Sequence, residues 1–508
     1  MTAANKNAKK LKIGLILPFW NPDEQWGKWK RGAGNNNFNL GMAYVAGMLR
    51  HHGFQVSVCD PQFFKKGLED LKTYLQQNRF AVNGIPCFTP TVSDVYKLVE
   101  FCRGVLPEVK IVLGGGHPTL FPKEILEECP DADFSVYHEG EYTMLELAVL
   151  LEENRRPAVE DLEAIKGMAW RNGESVVVNE RRPFILNLDE LPRPAYELFP
   201  IQQYKIQPTA YKRLPTYTML VSRGCPYLCT FCSGRKMLGK KMLYRSVPKV
   251  IEDMEFLIRE YNAHGFMFQD TSMPANRKWM VEFCETIRRK RIDVTWMCYS
   301  RVDHVDADIL RLMKSAGCFG ISFGVETANQ KSLDLVRKGI TVDQNIISVR
   351  LALALRFHVT ATYILGLPGE DEDDVMNTIR LAKQLSTHIA HFFLPIPYPE
   401  TELFNQCQED GGLREDLEWR DFSVTNWKRP VYVNPKLGQQ KMLALQRKAI
   451  ISYYTSPHVI WRNLLSINSM ADVRKYLNAM LALSGYLIPG KTRTETSQKS
   501  ERKVNINP

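Results

Sequence analysis

The 508-residue chain predicts an α/β protein: two successive strand–helix alternations followed by a helical C-terminal region. Three observations predict it. Short apolar runs of strand length alternate with helical patterns over residues 11–153, and again over 211–405. A connector rich in proline, with an Asn-Gly turn, separates the two runs. From residue 406 onward only helix-period patterns recur.

Composition supports this class. Hydrophobic residues make up 44% and charged residues 24%, the balance of a soluble globular protein, and the length admits about three domains. The 66 basic and 56 acidic residues leave a net charge of +10. No long basic block or nucleic-acid motif accompanies it, so a nucleic-acid partner is not expected. An anionic substrate or a membrane surface is compatible with the excess. Residues 1–10 are polar, and no apolar run reaches the roughly 18 residues of a membrane span. Eight of the 11 cysteines are scattered, the usage of a reducing compartment. A cytoplasmic protein without a transmembrane segment is expected.

In the first alternation, strands are predicted at 11–17, 54–58, 80–85, 110–113 and 133–136. Helices fall at 40–51, 68–77, 91–105, 122–128 and 141–152. Five such units predict a doubly wound, flavodoxin-like parallel sheet, whose ligands bind beyond the carboxyl ends of the strands. The unusual loops lie at that edge. The third strand leads into Pro86-Cys87-Phe88-Thr89-Pro90-Thr91. The fourth leads into Gly114-Gly115-Gly116-His117-Pro118-Thr119, where glycines let a backbone approach a ligand closely. The fifth leads into Tyr137-His138-Glu139-Gly140-Glu141. The loop 20–38 carries Trp20, Trp26 and Trp29 among Lys28, Lys30 and Arg31. It covers a flat cofactor or an apolar substrate, or it is a lid without a ligand, and both readings stay open.

Residues 154–210 read as a domain linker holding a hairpin, 167–171 and 175–178, joined by Asn172-Gly173. The second alternation predicts strands at 216–222, 265–269, 293–298, 318–324, 359–365 and 391–395. Cys225, Cys229 and Cys232 follow its first strand at spacing C-x3-C-x2-C. Three thiolates on one short loop can hold three irons of a [4Fe–4S] cluster and leave the fourth open to a small molecule. A structural zinc site needs a nearby fourth ligand, yet the next cysteine is Cys284 and the next histidine His264. An odd group without a secretory signal does not read as a disulfide framework. Residues 406–490 read as helical, with helices at 440–454 and 471–487, and 491–508 as a disordered tail.

The cysteine loop, with Phe231 before its last cysteine, resembles that of the radical S-adenosylmethionine (SAM) enzymes. The six strand–helix units resemble their partial (β/α)6 barrel. That resemblance implies a cluster on Cys225, Cys229 and Cys232, with SAM beside Phe231. It implies Asp270 near the SAM amino group, with helix capping as the alternative. Arg301 would pair with the SAM carboxylate, with an ordinary salt bridge as the alternative. Glu326 would accept from the ribose, and Gly366, Pro368 and Glu370 would lie beside adenine. The N-terminal part resembles the cobalamin-binding domain found ahead of many such cores. The resemblance rests on the Gly-Gly-x-His-Pro-Thr loop, on residues 39–47 and on Glu139-Gly140-Glu141. It implies cobalamin contacts at Thr89, Gly114, Gly115, Gly116, His117, Thr119, Glu139, Gly140 and Glu141. The Asp-x-His-x-x-Gly motif is absent, so no histidine ligand to cobalt is expected.

The family includes methyltransferases of unactivated carbon or phosphorus and an anaerobic ring-forming cyclase. Residues 397–401 and 453–457 look like the cyclase-containing branch. The implied activity is methylation of a small-molecule substrate through a 5′-deoxyadenosyl radical and methylcobalamin. An external one-electron reductant of flavodoxin or ferredoxin type is implied. Oxidative cyclisation or rearrangement is the alternative activity, and a non-enzymatic cobalamin sensor the alternative class.

Overall fold

The computed structural model describes residues 11–19, 38–424, 426 and 429–467. The tryptophan-bearing segment 20–37, the helix at 471–487 and the tail 491–508 lie outside the described residues. The chain divides into two compact units. The first comprises residues 11–19, 38–201 and 236–238, and the second the rest of the described chain.

The first unit is built on a seven-stranded sheet in the order β2-β1-β3-β4-β5-β6-β7. Its strands are β1 (Lys12–Ile16), β2 (Gln55–Cys59), β3 (Val82–Pro86), β4 (Lys110–Gly114), β5 (Phe134–Val136), β6 (Met168–Asn172) and β7 (Ser175–Val178). The first five pair in parallel, in the 2-1-3-4-5 order of flavodoxin-like sheets. The apolar runs become buried strands: Ile13, Val82, Ile111 and Leu113 are fully buried.

Residues 154–201 are not a free linker, and the sheet is not wholly parallel. The hairpin β6–β7 adds two antiparallel strands to β5. The connector beyond it packs on the helix Leu40–His51 for a local reason. Gly47 lets the backbone close in, since a Cβ there would lie 2.5 Å from the Arg193 carbonyl. Ala195 N–H donates to Ala43 O at 2.9 Å. Phe38 meets the Tyr196 and Phe199 rings at 5.3 Å each, and Arg50 pairs with Glu197.

The second unit holds a six-stranded parallel sheet in the order β15-β14-β13-β12-β11-β8. Its strands are β8 (Thr216–Met219), β11 (Gly265–Phe268), β12 (Thr295–Ser300), β13 (Cys318–Glu326), β14 (His358–Ile364) and β15 (Ile389–Phe393). The two ends of the sheet do not pair, so it is a partial barrel. Two short strands, β9 (Ser222–Arg223) and β10 (Leu243–Tyr244), form a separate antiparallel ribbon flanking the cysteine loop. The helix Arg277–Arg289 turns Trp279 and Phe283 onto the sheet, where they stack at 5.1 Å and Phe283 meets Trp296 at 5.6 Å. Such aromatic pairs add roughly 0.5–1.5 kcal/mol each beyond area burial. No helix among the described residues is long and apolar enough to cross a membrane.

Candidate functional site

The cysteine loop is held from several sides. Asp270, at the end of β11 and 1% exposed, accepts through Oδ1 from Val221 N at 3.0 Å, Ser222 N at 2.5 Å and Ser222 Oγ at 2.6 Å. It anchors the backbone that leads into the loop and caps no helix; the following helix is capped by Asn276. Thr271 Oγ1 donates to Gly224 O at 3.1 Å. Thr230 N donates to Val336 O at 3.0 Å, and Leu403 N to Thr230 O at 3.0 Å.

Cys225, Cys229 and Cys232 feel one another electrostatically. Burial pushes the Cys229 thiol up, and Lys338 and Arg301 pull it back. Among the described residues no three His, Cys, Asp or Glu side chains converge on a single ion. A cluster makes no such demand, because each thiolate takes a different iron.

Around the loop lies a polar set that the motifs did not show. Lys338 Nζ donates to Glu326 Oε1 at 2.6 Å, and both side chains are more than nine-tenths buried. Burial opposes the ammonium, but Glu326 and Cys229 outweigh it and hold Lys338 above the ordinary lysine range. Glu326 follows a bulge in β13 and has φ +65°, a left-handed conformation unusual for a side chain of its size. Gly324 leaves the room for this: a Cβ there would lie 2.9 Å from Lys338 Nζ. Lys338 also stands 5.9 Å over the Phe231 ring.

Arg301 has protein partners, as in the salt-bridge alternative. Its fork is taken by Asp303, at 2.9 and 3.0 Å, and by Lys338 O at 2.7 Å. The guanidinium lies 3.7 Å over the Tyr227 ring, inside the cysteine loop. Tyr227 Oη meets His304 Nε2, and His304 Nδ1 lies 2.7 Å from Ser272 Oγ, which accepts from Arg301 N at 3.1 Å. Arg301 is thus engaged in bracing the loop, with its charge already answered.

Beyond β14, Gly366 and Gly369 have φ +83° and +82°. Glu370, 1% exposed, turns back to accept from Gly366 N at 2.9 Å, Leu367 N at 3.0 Å and Thr327 Oγ1 at 3.0 Å. Pro368 is half-buried in the same turn. Buried Asn434 donates to Leu367 O at 2.8 Å and Glu370 O at 3.0 Å. Sequence reasoning missed Asn434, and no motif marks it.

In the first unit the expected residues gather at one sheet edge. His117 Nδ1 lies 3.3 Å from Thr89 Oγ1, and burial lowers His117 to about 3. Thr119 Oγ1 donates to Gly115 O at 2.7 Å and accepts from His138 N at 2.9 Å, tying two loops together. Gly114 ends β4, and its carbonyl accepts from Cys87 N at 2.7 Å. Gly115 has φ +110°, and a Cβ on it would lie 2.9 Å from Cys87 O. The neighbouring loop already accounts for that glycine. A Cβ on Gly116 would meet Phe88 at 3.4 Å. Glu139 accepts from Ile185 N at 2.6 Å, Gly140 opens the helix Gly140–Glu153, and Glu141 is buried in its first turn.

Both cofactor expectations can be tested on leftover polar atoms. Asp270 Oδ2 is buried without a partner, and burial pushes its carboxyl up to about 6. Such an acceptor fits an ammonium group of the kind SAM carries. His138 Nδ1, at the loop edge of the first sheet, is also buried without a partner, and burial lowers that ring to about 4. A neutral imidazole nitrogen there fits a corrin side-chain amide.

Residues 32–148 match the family model of the B12 binding domain, and residues 219–382 that of the Radical SAM superfamily. The chain is 31% identical over 456 residues to an uncharacterised methyltransferase of Pyrococcus horikoshii, covering 90% of this chain and 95% of that protein. It is 27% identical over 407 residues to the anaerobic magnesium-protoporphyrin IX monomethyl ester cyclase of Rubrivivax gelatinosus, covering 79% of this chain and 71% of that one. Among solved structures, its fold is similar to the radical S-adenosylmethionine methyltransferase TsrM from Kitasatospora setae, with cobalamin and a [4Fe-4S] cluster bound. The TM-score is 0.68 at 14% identity, covering 94% of this chain and 99% of TsrM.

Proposed function

We propose, on the premise that this chain belongs to the cobalamin-dependent radical SAM family of methyltransferases, with its cyclase branch, that it methylates an unactivated carbon of a small-molecule biosynthetic intermediate. One observation carries the choice of methylation. The methyltransferase relative matches over 95% of its length, and the cyclase relative over 71%. The match to the cyclase favours oxidative ring closure as the second reading. Membership in an enzyme family sets aside the sensor.

In this reading Cys225, Cys229 and Cys232 hold the cluster, and Asp270, Glu326, Phe231, Gly366 and Pro368 surround SAM. Thr89, residues 114–117, Thr119 and residues 139–141 form the cobalamin edge, joined by His138. When bound, the cluster with SAM supplies a 5′-deoxyadenosyl radical, and cobalamin supplies a carrier for the methyl group. The chain's own residues bind and orient. Asp270 offers a buried acceptor to the SAM ammonium while its other oxygen fixes the loop. Lys338 pairs with Glu326 and fixes the position of its carboxylate. Tyr227, His304 and Ser272 hold Arg301 against the loop. The electron comes from an external flavodoxin- or ferredoxin-type protein, and the setting is cytoplasmic.

The test is a comparison of metabolites from a deletion strain and its parent, with anaerobic assay of the purified enzyme on the compound that accumulates. The expected product is heavier by one methylene, formed together with 5′-deoxyadenosine. Replacing all three loop cysteines with Ala should abolish both. A product that has lost hydrogen without gaining carbon overturns methylation in favour of ring closure.

A further inference from the structure

The net charge of the chain is unevenly placed. Residues 198–251 contain ten Lys and Arg and no Asp or Glu, which equals the whole chain's +10. The cysteine loop sits inside this stretch. Several of the charges are spent internally: Arg245 pairs with Asp253 in the core, and Arg213 with Asp293. Lys240 and Lys241 are not. Both are exposed, and among the described residues neither meets a carboxylate.

The fold brings these two lysines back to the loop. Cys225 N donates to Gly239 O at 3.0 Å, and β10 pairs antiparallel with β9, Leu243 opposite Arg223 and Tyr244 opposite Ser222. Lys240 and Lys241 occupy the turn between those two attachments. On the loop itself, Leu228 is 54% exposed, immediately before Cys229. An exposed apolar side chain on the loop and unpaired, strongly hydrated ammonium groups on the turn bonded to that loop together have the composition of a small transient interface. Unpaired surface charge of one sign steers an oppositely charged partner and adds little to static affinity.

We infer that Leu228, Lys240 and Lys241 form the docking face for an acidic one-electron carrier protein. The inference rests on the radical SAM reading above, which needs an electron from outside. One electron passes from the carrier to the cluster; the carrier is oxidised by one electron, the cluster reduced by one, and no atom or proton moves.

The experiment uses the full chain with its cluster reconstituted, mixed anaerobically in a stopped-flow instrument, with cluster reduction followed by loss of visible absorbance. The donors are flavodoxin hydroquinone, which is acidic, and reduced methyl viologen, a small cation. At about 20 mM salt, K240E/K241E should slow reduction by flavodoxin about tenfold. The gap should close near about 0.5 M salt, where charges are screened within a few ångströms. K240R/K241R should keep the wild-type rate, and reduction by methyl viologen should not slow in either variant. Equal flavodoxin rates in wild type and K240E/K241E, or a gap indifferent to salt, would overturn the proposal. So would slowing with methyl viologen as well, because the loop itself would then have been disturbed. An anionic small-molecule site would instead leave flavodoxin rates untouched and weaken substrate binding. If wild-type protein reduced by methyl viologen fails to cleave SAM, the radical reading falls, however the flavodoxin comparison turns out.

Discussion

Lys338 Nζ and Glu326 Oε1 meet at 2.6 Å, twelve residues apart in the chain and closed off from solvent. Removing one member of a buried pair strands the other, at a cost of about 3–5 kcal/mol, whereas removing both strands neither. Lys338→Met and Glu326→Gln should therefore each lower the thermal midpoint by several degrees. The double variant should melt above the sum of the two losses. Additive losses would show that the two groups are not coupled. Under the proposed function, in which Glu326 lines the SAM site, Glu326→Gln should also impair 5′-deoxyadenosine formation and methylation together.

Gly115 is constrained from two directions, by φ +110° and by Cys87 O, 2.9 Å from where a Cβ would sit. Gly115→Val should push the loop after β4 off the loop after β3, in the first unit only. Methylation should be lost while 5′-deoxyadenosine still forms, since the proposed function puts the cluster and SAM on the second unit. Quantifying both products in a folded variant checks it. Intact methylation would mean that the cobalamin edge lies elsewhere.

Burial lifts Asp270 to about 6, above the roughly 3.9 of an unfolded aspartate. The folded chain then holds the extra proton between those values, so this group's contribution to stability falls as pH rises from about 4 to 6. The loss is on the order of 3 kcal/mol. Asp270→Asn should remove that slope from a plot of thermal midpoint against pH, and SAM affinity should drop. Parallel curves for the two proteins would mean that Asp270 ionises in the fold as it does in water.

How much of this was legible depended on the length scale. Strand and helix positions followed from local apolar periodicity, and the helix at 40–51 is observed as Leu40–His51. The cysteine loop announced itself by spacing. The hairpin β6–β7 was legible as a hairpin, but its docking on β5 was not, because a two-residue turn fixes a strand's partner within the hairpin and nothing beyond. The roles of Lys338, His304 and Asn434 were invisible, since each acts through contacts to residues distant in sequence, which no local pattern records. Of the two readings left open for Arg301, the ion pair is the one seen, since a fork that suits a ligand carboxylate suits Asp303, two residues away, equally well.

Buried His138 Nδ1 has no protein partner. His138→Phe keeps a flat ring and removes this nitrogen together with the ring's hydrogen bond to the Met237 backbone, so cobalamin affinity should weaken by about threefold or more, the worth of at least one net hydrogen bond. The electron paramagnetic resonance spectrum of the Co(II) form should show no axial nitrogen splitting in wild type, His138→Phe or His117→Ala. A splitting that vanishes in either variant would identify a histidine ligand.

Asn434 holds the turn beyond β14 by its backbone carbonyls alone. Backbone carbonyls are present whatever side chains the turn carries, so the hold of Asn434 does not depend on those side chains. A change at residue 434 would disturb the turn without altering any residue in it. In a library selected for new substrates, replacements of Asn434 should therefore surface as enzymes that need more SAM, easily mistaken for catalytic lesions. Shortening the chain before that residue would remove this hold together with the helix Gly438–Tyr454 that packs on the sheet, which makes the region with the fewest motifs a poor place to trim.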